Sequence, residues 1–268
     1  MEEEQFMYGA IPDTPDSRDF PATRLLVKEV ALPESYRVNP NTLIYDQNGY
    51  PACVGYAGAG IKTDEEFLQY GKQIKFDGLW LYNECKKVDG IPNVPGTYPR
   101  EACKLLNQRG CKVVVAGSSC KFKWLKPTPP PPTPEDIFKW HIDAYYRIAT
   151  NSTIDFIKQI IFQFGSLMAA STWYNSWNGK FKIFPKPVGN SGQGHAYRVE
   201  GWESDLGVVV PNSWGKLLWG EAGISIMPYE MFLSAVLPEA DVWKLVDHIT
   251  DEAKRRLEEL LGQPSMRS

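Results

Sequence analysis

Residues 127–134 hold six prolines. Proline has a fixed φ and no backbone N–H, so neither a helix interior nor a central strand can cross such a run. The stretch reads as a polyproline II connector. The chain is therefore expected in two halves. Helical patterning dominates before the connector. A helix is expected over residues 53–70, with Glu65, Glu66 and Gln69 on its wet side. A second begins near Leu79, and a third covers 100–108, stopped by Gly110. Strand patterning dominates after it, over residues 166–174, 195–202, 207–212 and 223–227, as one small antiparallel sheet. One helix interrupts it at 153–164, with Thr153 as its cap and Ile154, Ile157, Ile160 and Ile161 on its inner face.

The chain ends read differently. Residues 1–35 are polar and Pro-rich, with little regular structure expected. They form either a packed extension or a strap near a cleft. Residues 241–261 read as an amphipathic helix, with Val242, Leu245, Val246, Ile249, Leu257 and Leu260 on one stripe. It would pack on the domain or serve an oligomer contact; oligomeric state stays open.

Composition removes several function classes. With 268 residues, 43% hydrophobic, the chain can bury a sizeable core. A net charge of −3 with no long basic run argues against nucleic acid as main partner. No stretch approaches 18 apolar residues, so no membrane span is expected. The start Met1-Glu2-Glu3-Glu4 has no apolar segment behind it and does not read as a signal peptide, which makes cytoplasmic the default expectation. No CxxC pair or His-rich cluster suggests a metal, and no cofactor is expected.

Chemistry concentrates at Cys53. Turn residues Asn48, Gly49 and Pro51 precede it, and small residues Gly55, Ala57, Gly58, Ala59 and Gly60 follow. A thiol at a helix start has a lowered pKa. Gln47 lies one loop earlier, its amide able to point back at the sulfur. On this stretch alone a buried structural cysteine explains the residues equally well. Two later stretches supply what a nucleophile needs, a base and an orienter. His195 enters one strand in Gly192-Gln193-Gly194-His195-Ala196. Asn212 leaves the next in Pro211-Asn212-Ser213-Trp214-Gly215, with Trp219-Gly220 beyond. His141 and His248 read as structural.

This set resembles the papain-like cysteine peptidases, of the prokaryotic and viral type without a long helical propeptide. His195 follows Cys53 by about 142 residues, inside the roughly 130–150 typical of that family. Asn212 follows by about 159. The resemblance covers roughly residues 35–235 and is most specific at Asn-Ser-Trp-Gly. It implies an α+β, two-lobed papain-like fold with a cleft between a helical half and a sheet half. The implied catalytic domain is 36–240, with a helical lobe over about 50–126, a connector at 127–134 and a sheet lobe over about 135–240. Residues 1–35 and 241–268 flank it.

The implied activity is peptide hydrolysis through a thioester on Cys53, with a peptide or protein substrate. Cys53 and His195 would form a thiolate–imidazolium pair, Asn212 would hold the imidazole, and Trp214 would shield that bond. The Gln47 amide and the Cys53 N–H would bind the oxyanion, and Trp219 would line the leaving-group side. The family's Gly-Gly-Tyr-Pro, where substrate backbone pairs as a short strand, is Gly96-Thr97-Tyr98-Pro99 here, and the family's Ser-Cys-Trp is Ala52-Cys53-Val54. The loop before Cys53 lacks the cysteine that many secreted relatives carry. Reduced thiols are therefore expected, with Cys111–Cys120 the pair to form if any does. Residues 6–11 are a candidate for self-inhibition across the cleft. Two other classes fit the same residues: an acyl-transfer or isopeptide-cleaving enzyme, and an inactive papain-like binding protein.

Overall fold

The computed structural model describes residues 6–25, 29–114, 137 and 139–247. Among the described residues three α-helices precede the proline run: α1 (Cys53–Tyr70), α2 (Gly78–Lys86) and α3 (Pro99–Gln108). Each has a local cause. Asp77 caps α2 by accepting from the Trp80 N–H. Pro99 opens α3 at a position where its missing N–H costs nothing. Gly71 ends α1 in the left-handed conformation, φ 65°. Gly55 lets α1 and α2 approach closely: a Cβ there would lie 2.3 Å from the Gly78 carbonyl oxygen. A further helix, α4 (Ile154–Phe164), is capped by Thr153 as expected.

Two four-stranded antiparallel sheets replace the single sheet expected. The first orders β1 (Tyr36–Arg37), β5 (Gly201–Glu203), β6 (Gly207–Pro211) and β7 (Ile224–Pro228). The second orders β2 (Ala144–Arg147), β8 (Asp241–Val246), β3 (Leu167–Tyr174) and β4 (Asn190–Val199). The chain steps from one sheet to the other between Val199 and Gly201. Glu200, at the step, is buried and ion-paired with Arg37. One core gathers Trp173, Trp177, Trp202 and Trp219. The other lies under the helices and joins Cys53, Phe76, Leu81 and Leu106 to Ala170, Ala196 and Trp243.

Two expectations about charged and amphipathic helices are overturned. Glu65, Glu66 and Gln69 are not on a wet face of α1; all three are buried. That helix is covered by α2 and α3 on one side and by sheet strands on the other. Its acids meet buried cations instead: Glu65 pairs with Lys244, and Glu66 with Lys62, which also pairs with Asp247. Residues 241–246 form a strand, not the start of a helix. Val242, Trp243 and Leu245 suit a pleated surface, and pairing on both sides with β2 and β3 outweighs the helical stripe. Residues 248–268 and the connector 127–134 lie outside the described residues, as does Cys120. Cys111 is a free, buried thiol, as are Cys53, Cys85 and Cys103. Among the described residues no helix is long and apolar enough to cross a membrane.

Candidate active site

The cleft forms where the N-terminus of α1 meets β4 and the end of β6. The turn before α1 carries Asn48 and Gly49 at positive φ, 48° and 74°. Asp46 steadies it by accepting from the Asn48 N–H at 2.8 Å. Cys53 is then the first helical residue, and its Sγ accepts from the Ala196 N–H at 3.3 Å. His195, one residue earlier on β4, pairs with Ser171 on β3.

Asn212 follows β6, and its Oδ1 lies 2.8 Å from His195 Nε2. That oxygen also accepts from the Ser213 N–H at 2.7 Å, which fixes the amide's orientation. The indole of Trp214 stacks on the imidazole, ring centres 4.2 Å apart and planes 20° apart. Asn212 thus occupies Nε2, and the buried Nδ1 is the ring nitrogen without a partner. Gln47 is held from behind: Ser213 Oγ donates to its Oε1 at 2.7 Å. Its Nε2 donates to the Tyr50 carbonyl at 2.7 Å and to the Met7 carbonyl at 2.9 Å.

The Met7 bond belongs to a strap formed by residues 6–12, which lies in the cleft. The Trp214 Nε1–H also donates to the Met7 carbonyl, at 3.2 Å. The Gly9 and Ala10 N–H groups donate to the Gly194 carbonyl at 3.1 and 3.0 Å. The Thr97 N–H donates to Gly9 at 2.9 Å, and the Ile11 N–H to Thr97 at 3.0 Å. Phe6 meets Trp214 edge-on at 4.8 Å. Threonine in place of the family's second glycine does not hinder this pairing. The Thr97 side chain turns away, its Oγ1 donating to Asp89 at 3.0 Å.

Covered in this way, the site disfavours charge. Burial pushes the Cys53 thiol up to about 12, against the pull of the Ala196, Val54 and Cys53 N–H groups. Burial pushes the His195 imidazole down to about 3, against its bond to Asn212. In the covered cleft burial thus works against the charged pair expected from the sequence. Desolvation disfavours both charges.

The structure brings Cys53, His195, Asn212, Gln47, Gly96, Thr97 and Trp214 together around this cleft. Trp219 stands deeper: it is fully buried behind Trp214 and donates from Nε1 to the Trp177 carbonyl at 2.7 Å. Being fully buried, it does not itself line the cleft as expected. Sequence reasoning missed Ser213, Trp173 and Asn178. Ser213 sits inside the quoted motif, and its place behind Gln47 needs the fold to be seen.

No family model matches the chain, and no curated protein does. Solved structures do. Xylellain, a cysteine protease from Xylella fastidiosa, is 24% identical, with 90% of this chain and 96% of that one covered and a TM-score of 0.71. ProCathepsin B S9 from Trypanosoma congolense is 18% identical, with 90% and 87% covered and a TM-score of 0.66. The bromelain protease from Ananas comosus is 19% identical, with 81% and 100% covered and a TM-score of 0.62. The chain has the papain-like α+β fold.

Proposed function

We propose that the protein is a papain-type cysteine peptidase that acts on peptide substrates. One observation carries the reading: the Met7 carbonyl rests on Gln47 Nε2, next to the Cys53–His195–Asn212 set, where a substrate carbonyl would sit. With the strap displaced, water enters and the cost of charge falls. The Cys53 proton passes to His195 Nδ1, and the thiolate attacks the substrate carbonyl carbon. The Gln47 amide and the Cys53 N–H take the developing oxyanion. His195 then gives the proton to the leaving amine, leaving a thioester on Cys53. Water, deprotonated by the same imidazole, hydrolyses the thioester and frees the acid.

The strap is read as self-inhibitory. Its chain direction supports that. The residue before the Met7 carbonyl, Phe6, lies on the Trp214 side, where the leaving amine belongs. The residues after it, Gly9 to Ile11, pair with Thr97, where the acyl part belongs. A substrate would run the other way, so the strap covers Cys53 without offering it a scissile bond in productive sense. Tethering gives it a high effective concentration.

The test is cleavage of a quenched peptide by the chain lacking residues 1–10, with and without Cys53→Ala. Peptide hydrolysis lost in Cys53→Ala, with an epoxide thiol inhibitor adding once at Cys53 by intact mass, supports the reading. Folded protein that is labelled at Cys53 but cleaves no peptide favours another acyl substrate. Folded protein labelled only at another cysteine overturns it.

A further inference from the structure

Asn178 has no role in the chemistry above, yet its side chain is fixed and aimed into the cleft. The fully buried Trp173 donates from Nε1 to Asn178 Oδ1 at 2.9 Å. An indole N–H only donates, so the amide cannot be turned round. Trp173 is itself wedged edge-on between Trp177 at 5.2 Å, Trp214 at 5.2 Å and His195 at 4.7 Å. The amide therefore presents Nδ2 outward, with Oδ1 beside it.

The strap shows what fits there. Asn178 Nδ2 donates to the Tyr8 hydroxyl oxygen at 2.8 Å, and that hydroxyl lies 3.1 Å from Oδ1, in reach to donate back. The Tyr8 ring lies edge-on to Trp214 at 6.0 Å and to His195 at 6.1 Å. A phenol both donates and accepts and spans the distance from the catalytic imidazole to Asn178. Phenylalanine fills the ring space but leaves the amide unmet, and an aliphatic side chain does neither.

We infer that the leaving-group side of the cleft is a subsite for a tyrosine side chain, with Asn178 as its specificity-determining residue. The inference rests on the peptidase reading. Tyr8 adjoins the Met7 carbonyl, and the subsite lies on the Trp214 side. A substrate running in the productive direction would place there the residue that follows its scissile bond.

Two measurements on the full-length chain test it. The first is kcat/KM on peptides differing only after the scissile bond, with Tyr, Phe or Leu. One neutral hydrogen bond predicts Tyr over Phe by about 3–10-fold. Asn178→Ala should bring that ratio to about 1 while keeping either aromatic ahead of Leu. The second is the rate at which iodoacetamide alkylates Cys53. Tyr8→Phe should raise it several-fold in the parent chain and leave it unchanged in Asn178→Ala. Peptides cleaved equally well with Tyr and Phe overturn the subsite and leave the peptidase reading standing. No cleavage of any peptide, either by the full-length chain or by the folded chain lacking residues 1–10, with the alkylation coupling intact, overturns the peptidase reading and the substrate claim with it. Absent coupling overturns the pairing of Asn178 with the phenol.

Discussion

The seam between the helices and the sheets is closed by buried charge; the strap lies in the cleft on backbone hydrogen bonds and ring edges. At the seam Lys244 meets Glu65, Lys62 meets Glu66 and Asp247, and Arg198 meets Asp64 at 2.9 Å, all buried. At the strap, four backbone bonds of 2.9–3.1 Å, neutral side-chain bonds from Gln47, Trp214 and Asn178, and the Phe6–Trp214 contact hold residues that are mostly half-exposed. Charge returns only further along. The Arg100 N–H donates to Asp13 at 3.1 Å, and the Arg100 guanidinium pairs with Asp19 at 2.6 Å. The two contacts differ in how they can open. A buried ion pair cannot be parted without stranding a charge, whereas a neutral backbone bond exchanges with water for about 0.5–1.5 kcal/mol net. The contrast predicts that residues 6–11 lift while the lobes stay closed, with residues 13–19 as the hinge.

The largest expected effect breaks the locked side. Lys244→Met removes the buried cation and strands Glu65. Unfolding free energy should fall by about 3–5 kcal/mol in urea titration. The double variant Lys244→Met with Glu65→Leu should recover most of that, because no charge is left buried. A loss below about 1 kcal/mol in the single variant would mean that water reaches the pair and that the seam is no firmer than the strap.

Next comes the strap itself. Gly9 faces the Pro51 carbonyl so closely that a Cβ would lie 2.1 Å from its oxygen. Gly9→Ala must therefore displace the strap locally. Peptide hydrolysis should rise about tenfold in kcat/KM, and the melting temperature should move by only a few degrees. A comparable fall in stability with no gain in activity would show that the strap is part of the fold rather than a cover.

How much of this was legible follows the same division. The candidate set could be picked out because Cys53 opens a helix, Gln47 lies in the turn before it and Asn212 follows the end of a strand, where a boundary leaves a mark in sequence; His195, inside β4, stood out through its spacing from Cys53. The strap's position was one of two readings of residues 1–35. The charged seam was not legible. Glu65, Glu66 and Gln69 look like a solvated face, and only the arrival of Lys244 from a strand far along the chain makes them buried partners. That same strand was hidden, since a short run such as Val242, Trp243, Leu245, Val246 suits a helix stripe and a pleated strand alike. Asn178 carries no motif; its meaning comes from Trp173 behind it and Tyr8 in front.

The smallest expected effect sharpens the hinge. Asp13 is buried, and burial together with the neighbouring Asp241 carboxylate lifts its pKa to about 7, although Arg100 pulls the other way. The groups around it are Asp241, Arg147 paired with that aspartate, Arg100 with Asp19, and the Trp243 N–H at 3.0 Å. A carboxyl whose pKa is higher docked than free binds its proton more tightly when docked. Docking is then strongest below the ordinary carboxylate pKa near 4 and weakens as pH rises through about 7. The readout is kcat/KM of the full chain divided by that of the chain lacking residues 1–10, set against the same ratio in Asp13→Asn, which shares the titration of Cys53 and His195. The ratio should climb several-fold from pH 5 to pH 8. Asp13→Asn keeps the shape, removes the titration and should flatten the curve. A ratio that stays level in the parent chain, or climbs equally in Asp13→Asn, would assign the hinge to Arg100 and Asp19 alone.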